Sequence, residues 1–263
     1  MNGEAALERA VEALTKARYV VALTGAGLSV ESGIPPFRGP GGLWTKYGEP
    51  PMNGFQRFLA DPKRAWEERL NPQGPMGELW FTLQQAQPNA GHRALVELER
   101  LGVLRCTITQ NIDDLHRRAG AEKLAEIHGN AFLVRCLGCV RRWPREEVST
   151  EELPPLCPQC GGLLKSDTVS FGEPIPPDVL ARCTAETQRA DCMLVVGTSA
   201  TVYPAAGFPI EVRHRGGVLI EVNPYETELS HLCQVVLRGA AAEILPEIVA
   251  GLSRRLDRLE TAS

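Results

Sequence analysis

The sequence predicts an α/β fold: a parallel sheet covered by helices on both faces, interrupted by a helical insertion and by a small cysteine-bound module. Three observations carry this. Short β-prone apolar runs alternate with segments of helical periodicity along most of the chain. The first run ends directly in Gly25-Ala26-Gly27, as a buried parallel strand does on entering an anion-binding turn. Two Cys-x-x-Cys pairs, Cys136/Cys139 and Cys157/Cys160, stand seventeen residues apart.

Bulk composition narrows the class. A chain of 263 residues can bury one α/β core and carry small insertions without splitting into independent domains. With 43% hydrophobic and 23% charged residues, a largely disordered chain is excluded. A formal net charge of −4 supplies no overall positive field, so direct nucleic-acid binding is not expected. No apolar run reaches bilayer length, and Met1-Asn2-Gly3-Glu4 leads straight into a charged amphipathic segment. No membrane partner is therefore expected, and the location expected is cytoplasmic. Eight cysteines without a signal peptide point to metal or thiolate chemistry rather than a disulfide scaffold.

Taken in order, Glu4 to Ala17 places Leu7, Ala10, Val11 and Leu14 at helical spacing, and Tyr19 to Thr24 is the first strand. Gly33 to Pro51 is dense in Gly and Pro and reads as a long irregular segment, the kind that forms lids or binding loops. Phe55 to Ala86 mixes short helical patterns with Pro62, Pro72, Gly74 and Pro75, a small helical insertion. A helix from Asn89 to Leu101, a strand from Arg105 to Thr109 and a helix from Ile112 to Ala119 resume the core pattern. Beyond the cysteines come apolar runs at Thr168 to Phe171, Cys192 to Val196 and Val218 to Val222, separated by helical patterns at Asp178 to Arg189 and Pro204 to Arg215. A last strand, Val235 to Leu237, leads into a terminal helix from Ala241 to Leu259.

The two cysteine pairs match the spacing of a zinc ribbon, in which each pair forms a knuckle with both thiolates turned the same way. Gly138 and Gly161 are expected to relieve the turns. Four thiolates fill a tetrahedral shell and leave no place for water, so Zn²⁺ at Cys136, Cys139, Cys157 and Cys160 would be structural. Cys106, Cys183, Cys192 and Cys233 have no paired spacing and read as small buried residues.

Polar groups cluster just after strands. Gly25-Ala26-Gly27 suggests a backbone that approaches a pyrophosphate, although Val30 stands where a full G-x-G-x-x-G pattern needs its third glycine. Gln110-Asn111-Ile112-Asp113 follows the second core strand, where Asn111 or Asp113 could equally cap the next helix. His128, in a short strand-to-turn stretch from Glu126 to Asn130, carries an imidazole suited to proton transfer at neutral pH. His92, His116, His214 and His231 read as surface or packing residues. Gly197-Thr198-Ser199 and Asn223 end two further strands, and their shared edge argues for one nucleotide-sized ligand.

In this order the motifs resemble the sirtuins: Gly25-Ala26-Gly27-Leu28-Ser29 with Ser32-Gly33-Ile34-Pro35 and Phe37-Arg38, then Gln110-Asn111-Ile112-Asp113, His128-Gly129, the cysteine pairs, Phe171-Gly172-Glu173, Gly197-Thr198-Ser199 and Val222-Asn223. The resemblance covers residues 4 to 250 and implies a Rossmann-like NAD-binding domain over 1–37, 88–134 and 166–263. It also implies a cofactor loop with helical insertion over 38–87 and a zinc-ribbon module over 135–165. Between them a cleft would hold NAD and an acylated-lysine protein or peptide.

Carried over position by position, the resemblance implies that Ala26, Ser29, Ile34 and Asp113 line the nicotinamide pocket, with Asn111 beside it and Gln110 on the nearby ribose. Phe37 and Arg38 belong to the closing loop; Thr198, Ser199 and Asn223 hold phosphates and the adenine ribose; Gly239-Ala240-Ala241 faces the adenine. The implied catalytic set is His128, Asn111 and Asp113. The acyl oxygen attacks the ribose carbon as nicotinamide leaves, and His128 takes a proton from a ribose hydroxyl. The products would be nicotinamide, free lysine and O-acyl-ADP-ribose, and the peptide would add as a strand beside Phe171, Gly172 and Glu173.

Pro36 and Ser170 depart from the family pattern without removing a catalytic group. The stretch Arg38 to Trp44 is similar to sirtuins that accept acidic acyl groups, but Trp66-Glu67-Glu68-Arg69 lacks the tyrosine of their Tyr-x-x-Arg, so acetyl-lysine is the expected substrate. Two rivals stay open here: an ADP-ribosyltransferase on the same scaffold, and a non-catalytic zinc-ribbon binding module.

Overall fold

Helix α1 (Gly3–Lys16) turns Ala6, Ala10, Val11 and Leu14 inward, and the chain then enters β1 (Val20–Thr24), buried along its whole length. These elements belong to a computed structural model that describes residues 3–261; residues 1, 2, 262 and 263, included in the large domain by the sequence reading, lie outside the described residues. The Gly/Pro-rich segment after β1 is not wholly irregular. It holds a five-residue helix, α2 (Leu43–Tyr47), and two 3-10 turns, Ala26–Leu28 and Val30–Ser32, lead into it from β1. The insertion forms α3 (Gly54–Ala60), α4 (Pro62–Leu70) and α5 (Gly74–Gln85). Pro62 and Pro75 sit in the first turns of α4 and α5, where a missing N–H costs nothing, so they start helices rather than break them.

Helix α6 (Ala90–Arg100) begins at a capping box: the Asn89 side chain accepts from the Gly91 and His92 amides, and His92 returns a bond to the Asn89 amide. Then come β2 (Leu104–Thr109), α7 (Leu115–Ala119) and β3 (Leu124–Glu126). The helix expected from Ile112 starts only at Leu115, because Asp114 is left-handed (φ 65°) and Asp113 Oδ1 accepts from the Leu115 amide.

The cysteine-rich segment folds as β4 (Leu133–Cys136), β5 (Arg142–Pro144) and β6 (Leu164–Ser166), an antiparallel sheet in the order β5-β4-β6. The strand expected at Thr168 to Phe171 is absent. There the Val169 amide donates to the His128 carbonyl at 2.9 Å and the Ser170 amide to the Glu173 carboxylate at 2.9 Å, so the backbone is satisfied outside any ladder. Helix α8 (Pro177–Arg189), β7 (Cys192–Val196), α9 (Gly207–His214), β8 (Val218–Val222), β9 (Val235–Leu237) and α10 (Ala241–Glu260) complete the chain.

The large sheet runs β3-β2-β1-β7-β8-β9 with every neighbouring pair parallel. Counted along the chain within this sheet, that is the order 3-2-1-4-5-6, which reverses between β1 and β7 and opens a crevice at their carboxyl ends. Alternation within the strands feeds two cores. Val20, Ala22, Leu194, Val196, Ile220 and Val222 join Leu14, Leu95, Leu98, Leu245 and Ile248 on one face. Val21, Leu23, Met193, Val195 and Leu219 join Cys183, Phe208 and Val212 on the other. Each fully buried Val or Leu here contributes about 1.5–3 kcal/mol.

Two features tie the small elements to this frame. Phe58 and Trp66 share a core with Val134, Cys136, Cys157 and Leu164, so the helical insertion and the cysteine module pack as one body. Trp66 Nε1 donates to the Leu164 carbonyl at 2.8 Å. Glu221 sits fully buried in β8, where its carboxylate accepts from Arg238 at 2.7 Å, Ser230 at 2.6 Å and the Thr227 hydroxyl, holding the loop after β8 against the sheet end.

Candidate active site

At the strand-order reversal, the loops after β1 and β7 interlock through glycine. The Gly25 amide donates to the Val196 carbonyl at 3.0 Å and the Gly27 amide to the Gly197 carbonyl at 2.8 Å. A Cβ on Gly25 would lie 2.7 Å from Thr198 Cβ, and one on Gly27 2.7 Å from Gly197 Cα. Gly197 itself is left-handed (φ 58°), and its Cβ would fall 2.4 Å from the Leu28 amide nitrogen. The glycines thus bring two backbones together, a reason beyond the ligand approach expected of Gly25 and Gly27.

The next layer is polar and buried. Asn111 Nδ2 donates to the Gly25 carbonyl and to Ser29 Oγ, each at 3.1 Å, and Ser29 Oγ donates to Asp113 Oδ2 at 2.6 Å. Of the two capping candidates, Asp113, one residue before the N-cap position Asp114, accepts from the first amide of α7, and Asn111 does not. Burial raises the Asp113 carboxyl, while the bonds from Ser29 and Leu115 oppose that. Gln110 Nε2 donates to Thr198 Oγ1 at 2.9 Å, and Asn223 Nδ2 to the Thr198 carbonyl at 3.2 Å, so the ends of β2, β7 and β8 are cross-braced.

His128 follows β3. Its Nδ1 stands 3.1 Å from the Gln110 carbonyl, an acceptor only, so Nδ1 carries the proton and Nε2 keeps a free lone pair. Burial lowers its pKa below the ordinary imidazole value, which the bond to Gln110 partly offsets, and the ring is a neutral base at pH 7. Gly129 lets the chain turn there: φ is +75° and a Cβ would sit 2.0 Å from the Asp167 carbonyl oxygen. The other buried histidines offer no base. Burial pushes His92 down to about 4 and His116 to about 3, and His116 Nε2 is engaged with Thr24 Oγ1 at 2.9 Å. His214 and His231 are exposed.

These groups border one cleft of about 2150 Å³. On its wall are Gly25, Ala26, Gly27, Phe37, Arg38, Gln110, Asn111, His128, Phe171, Gly172, Glu173, Gly197, Thr198, Ser199, Asn223 and Ala240. Ser29, Ile34, Asp113 and Ala241 are buried and stand behind that wall. The volume exceeds the roughly 300–1,000 Å³ of a single drug-sized pocket and suits a dinucleotide together with part of a polymer.

Several bordering residues escaped the sequence reading. Trp44 sits between Phe37 and Phe171, ring centroids 5.1 and 5.7 Å away, with the Arg38 guanidinium 4.4 Å above it. Arg38 also donates to Thr201 Oγ1 at 3.2 Å and pairs with Glu49 at 3.0 Å, fastening the loop of Phe37 across the cleft. Tyr203 and Tyr225 are exposed at its mouth. Trp44 lay inside a motif already singled out; nothing in the spacing of Thr201, Tyr203 or Tyr225 marked them.

The four cysteine sulfurs lie within 4.8 Å of one another, with Cys136 to Cys160 at 3.5 Å and Cys139 to Cys157 at 3.7 Å. A tetrahedron with Zn–S arms of about 2.3 Å has edges of about 3.8 Å, close to the Cys136–Cys160 and Cys139–Cys157 separations, so the cluster fits Zn²⁺. Amides of Gly138, Cys139 and Gln159 point at Sγ of Cys136 or Cys157, as suits thiolate acceptors. The left-handed turns fall on Val140 and Gly161, each one residue past a pair; Gly138 instead clears Cys160 Sγ, which a Cβ would meet at 3.4 Å. Burial drives the thiols of Cys106, Cys183, Cys192 and Cys233 up to about 12, leaving them unreactive.

A 3-2-1-4-5-6 parallel sheet with its polar cleft at the reversal point, beside a four-cysteine module, defines a Rossmann-like nucleotide-binding protein with a structural zinc site. Comparison with known proteins narrows this. Residues 25–204 match the model of the Sir2 family. The chain is 44% identical over 256 residues to NAD-dependent protein deacylase 1 of Archaeoglobus fulgidus, covering 95% of this chain and 99% of that protein. Among solved structures, a Sir2 homolog–NAD complex aligns with a TM-score of 0.78 at 45% identity, covering 95% of this chain and 94% of that one. A Sir2 mutant bound to a p53 peptide and NAD aligns at 0.75 and 33%, covering 93% and 97%. The chain belongs to the Sir2 family.

Proposed function

We infer that the protein is an NAD-dependent protein-lysine deacylase, releasing nicotinamide, deacylated lysine and O-acyl-ADP-ribose. The observation that carries this is His128: a neutral imidazole with Nε2 free, in the same cleft wall as Gln110, Asn111 and the interlocked glycine loops. NAD supplies a ribose carbon bearing a cationic leaving group. Around it, the amides after β1 and β7 with Thr198, Ser199 and Asn223 would hold phosphates and ribose, and Ala240 would border the adenine. Asn111 would face the nicotinamide, oriented by Ser29 and Asp113 from behind the wall. His128 would take the proton of a ribose hydroxyl, readying that oxygen for the acyl carbon once the acyl oxygen has displaced nicotinamide, and the lysine amine would leave as water completes the transfer. Trp44, Arg38 and Phe37 would exclude water while the glycosidic bond is broken.

The proposed substrate is an acylated-lysine protein or peptide adding as a strand beside Phe171, Gly172 and Glu173. The large domain is proposed over 1–37, 88–134 and 166–263, the cofactor loop with insertion over 38–87 and the zinc module over 135–165; a cytoplasmic location remains the proposal. Mixing the protein with NAD and an acetylated peptide should release nicotinamide only when the acyl group is present. Release without peptide, or transfer of label from NAD onto protein, would contradict this reading.

Acetyl-lysine is the expected preference over succinyl-lysine. Arg69, the cation of the incomplete Tyr-x-x-Arg motif, donates to the Ala131 carbonyl at 2.8 Å and does not border the cleft. Rates on one peptide carrying either group should favour acetyl by about tenfold or more; a large succinyl preference would refute this.

The pH dependence follows from His128. A base with lowered pKa is lost only when pH falls through that value, so the acidic limb of kcat/KM should lie below about pH 6.5. A limb at or above pH 7 would mean that another group limits the rate.

A further inference from the structure

Glu173 borders the cleft, yet its side chain is only 2% exposed and both carboxylate oxygens are engaged within the protein. Oε1 accepts from Arg135 Nη2 at 2.6 Å. Oε2 accepts from Lys165 Nζ at 2.9 Å and from the Ser170 amide at 2.9 Å. The Glu173 amide donates in turn to the Ser170 carbonyl at 3.0 Å, so Ser170 to Glu173 is closed into a turn from both ends. Gly172 within that turn is left-handed (φ 78°).

The two cations come from the small sheet. Arg135 on β4 and Lys165 on β6 are register partners, and each side chain is 5% exposed. Arg135 Nε also bonds Asp167 at 3.0 Å, as does Arg142 of β5, so all three strands send a cation onto the segment that leads into the turn. Lys165 Nζ reaches the Thr168 carbonyl at 2.6 Å as well. Apolar packing could have held the loop at less desolvation cost. The Arg135 guanidinium bridges two carboxylates, Nε on Asp167 and Nη2 on Glu173, so its rigid plane fixes one relative to the other.

We propose that Glu173 is a positioning residue for substrate peptide: paired with Arg135 and Lys165 and closing the turn from Ser170, it holds the Phe171–Gly172 backbone in the register an incoming strand must meet, and so makes peptide orientation depend on the three-stranded sheet. This rests on the deacylase reading. No contact between the carboxylate and substrate is required.

The test uses the full-length, zinc-loaded protein with Glu173→Gln, Arg135→Met and Arg135→Lys. In E173Q and R135M the KM for an acetylated peptide should rise about tenfold, with kcat and the KM for NAD within about threefold. R135K, which keeps the charge but not the planar bridge between Asp167 and Glu173, should fall between R135M and the parent. Hydrogen exchange should quicken at the amides of residues 168–173 and stay unchanged at Gly25 and Gly27. An unchanged peptide KM with only a lower melting temperature would reduce Glu173 to a structural residue and overturn the proposal. So would a parallel rise in the KM for NAD. If the parent protein turns over no acylated peptide, the deacylase reading fails by itself; unchanged exchange at 168–173 in both E173Q and R135M would then still overturn the positioning role.

Discussion

His128→Ala is expected to reduce deacylation by about 10²–10⁴-fold while NAD still binds. Of the two histidines among the described residues in the cleft wall, His128 and His231, His128 is the one whose Nδ1 is fixed on a backbone carbonyl, and His116 and His92 are held neutral and occupied elsewhere. Removing the imidazole leaves the glycine loops, Gln110–Thr198 and Asn111–Ser29 contacts untouched, since none passes through the side chain. Calorimetric titration with NAD should give a Kd within a few-fold of the parent, and turnover of an acetylated peptide should vanish on the same preparation. Retained turnover would place the base on another residue; lost NAD binding would make His128 a structural ligand of the cofactor.

The second large effect concerns the metal. Cys157→Ser removes one of four clustered sulfurs in the core shared by Phe58, Trp66 and Val134. In small zinc-folded peptides the metal supplies about 10–16 kcal/mol at neutral pH. Here helices α3 and α4 cover the module, so part of the packing survives, and a loss of about 3–5 kcal/mol is expected. At this chain length that corresponds to a melting temperature lower by about 6–20 °C. Metal analysis should show one Zn²⁺ per parent chain and its loss from C157S. An unchanged melting temperature with zinc absent would mean that the cysteine cluster contributes nothing to the fold.

Strand and helix alternation was legible because buried parallel strands and amphipathic helices write their periods directly into the sequence. Val20 to Thr24, Cys192 to Val196 and Val218 to Val222 could be read that way even with Glu221 inside one of them. What failed were places where side chains, rather than periodicity, decide the backbone. Thr168 to Phe171 alternates like a strand but is captured by Glu173 and His128, while the true strand, Leu164–Ser166, hides Lys165 and Ser166 in polar contacts that no apolar pattern reveals. Likewise Asp113 and Asp114 delay α7 through a side-chain hydrogen bond and a left-handed turn.

The site divides similarly. Cysteine spacing is local chemistry and could be read outright. Among five histidines, spacing did not select His128; the motif order did, and the Gln110 carbonyl supplies the physical reason. The Arg38–Thr201 latch, the Trp44–Phe171 contact and the Arg135–Glu173–Lys165 cluster join residues far apart in the chain, and only the folded chain brings them together.

The most direct test follows the acyl group. Incubated with NAD and an acetyl-lysine peptide, the protein should yield nicotinamide, free lysine peptide and O-acetyl-ADP-ribose in equal amounts by mass spectrometry. Free acetate with intact NAD, or ADP-ribose fixed to protein in place of the acetylated sugar, would contradict coupling of glycosidic cleavage to lysine release.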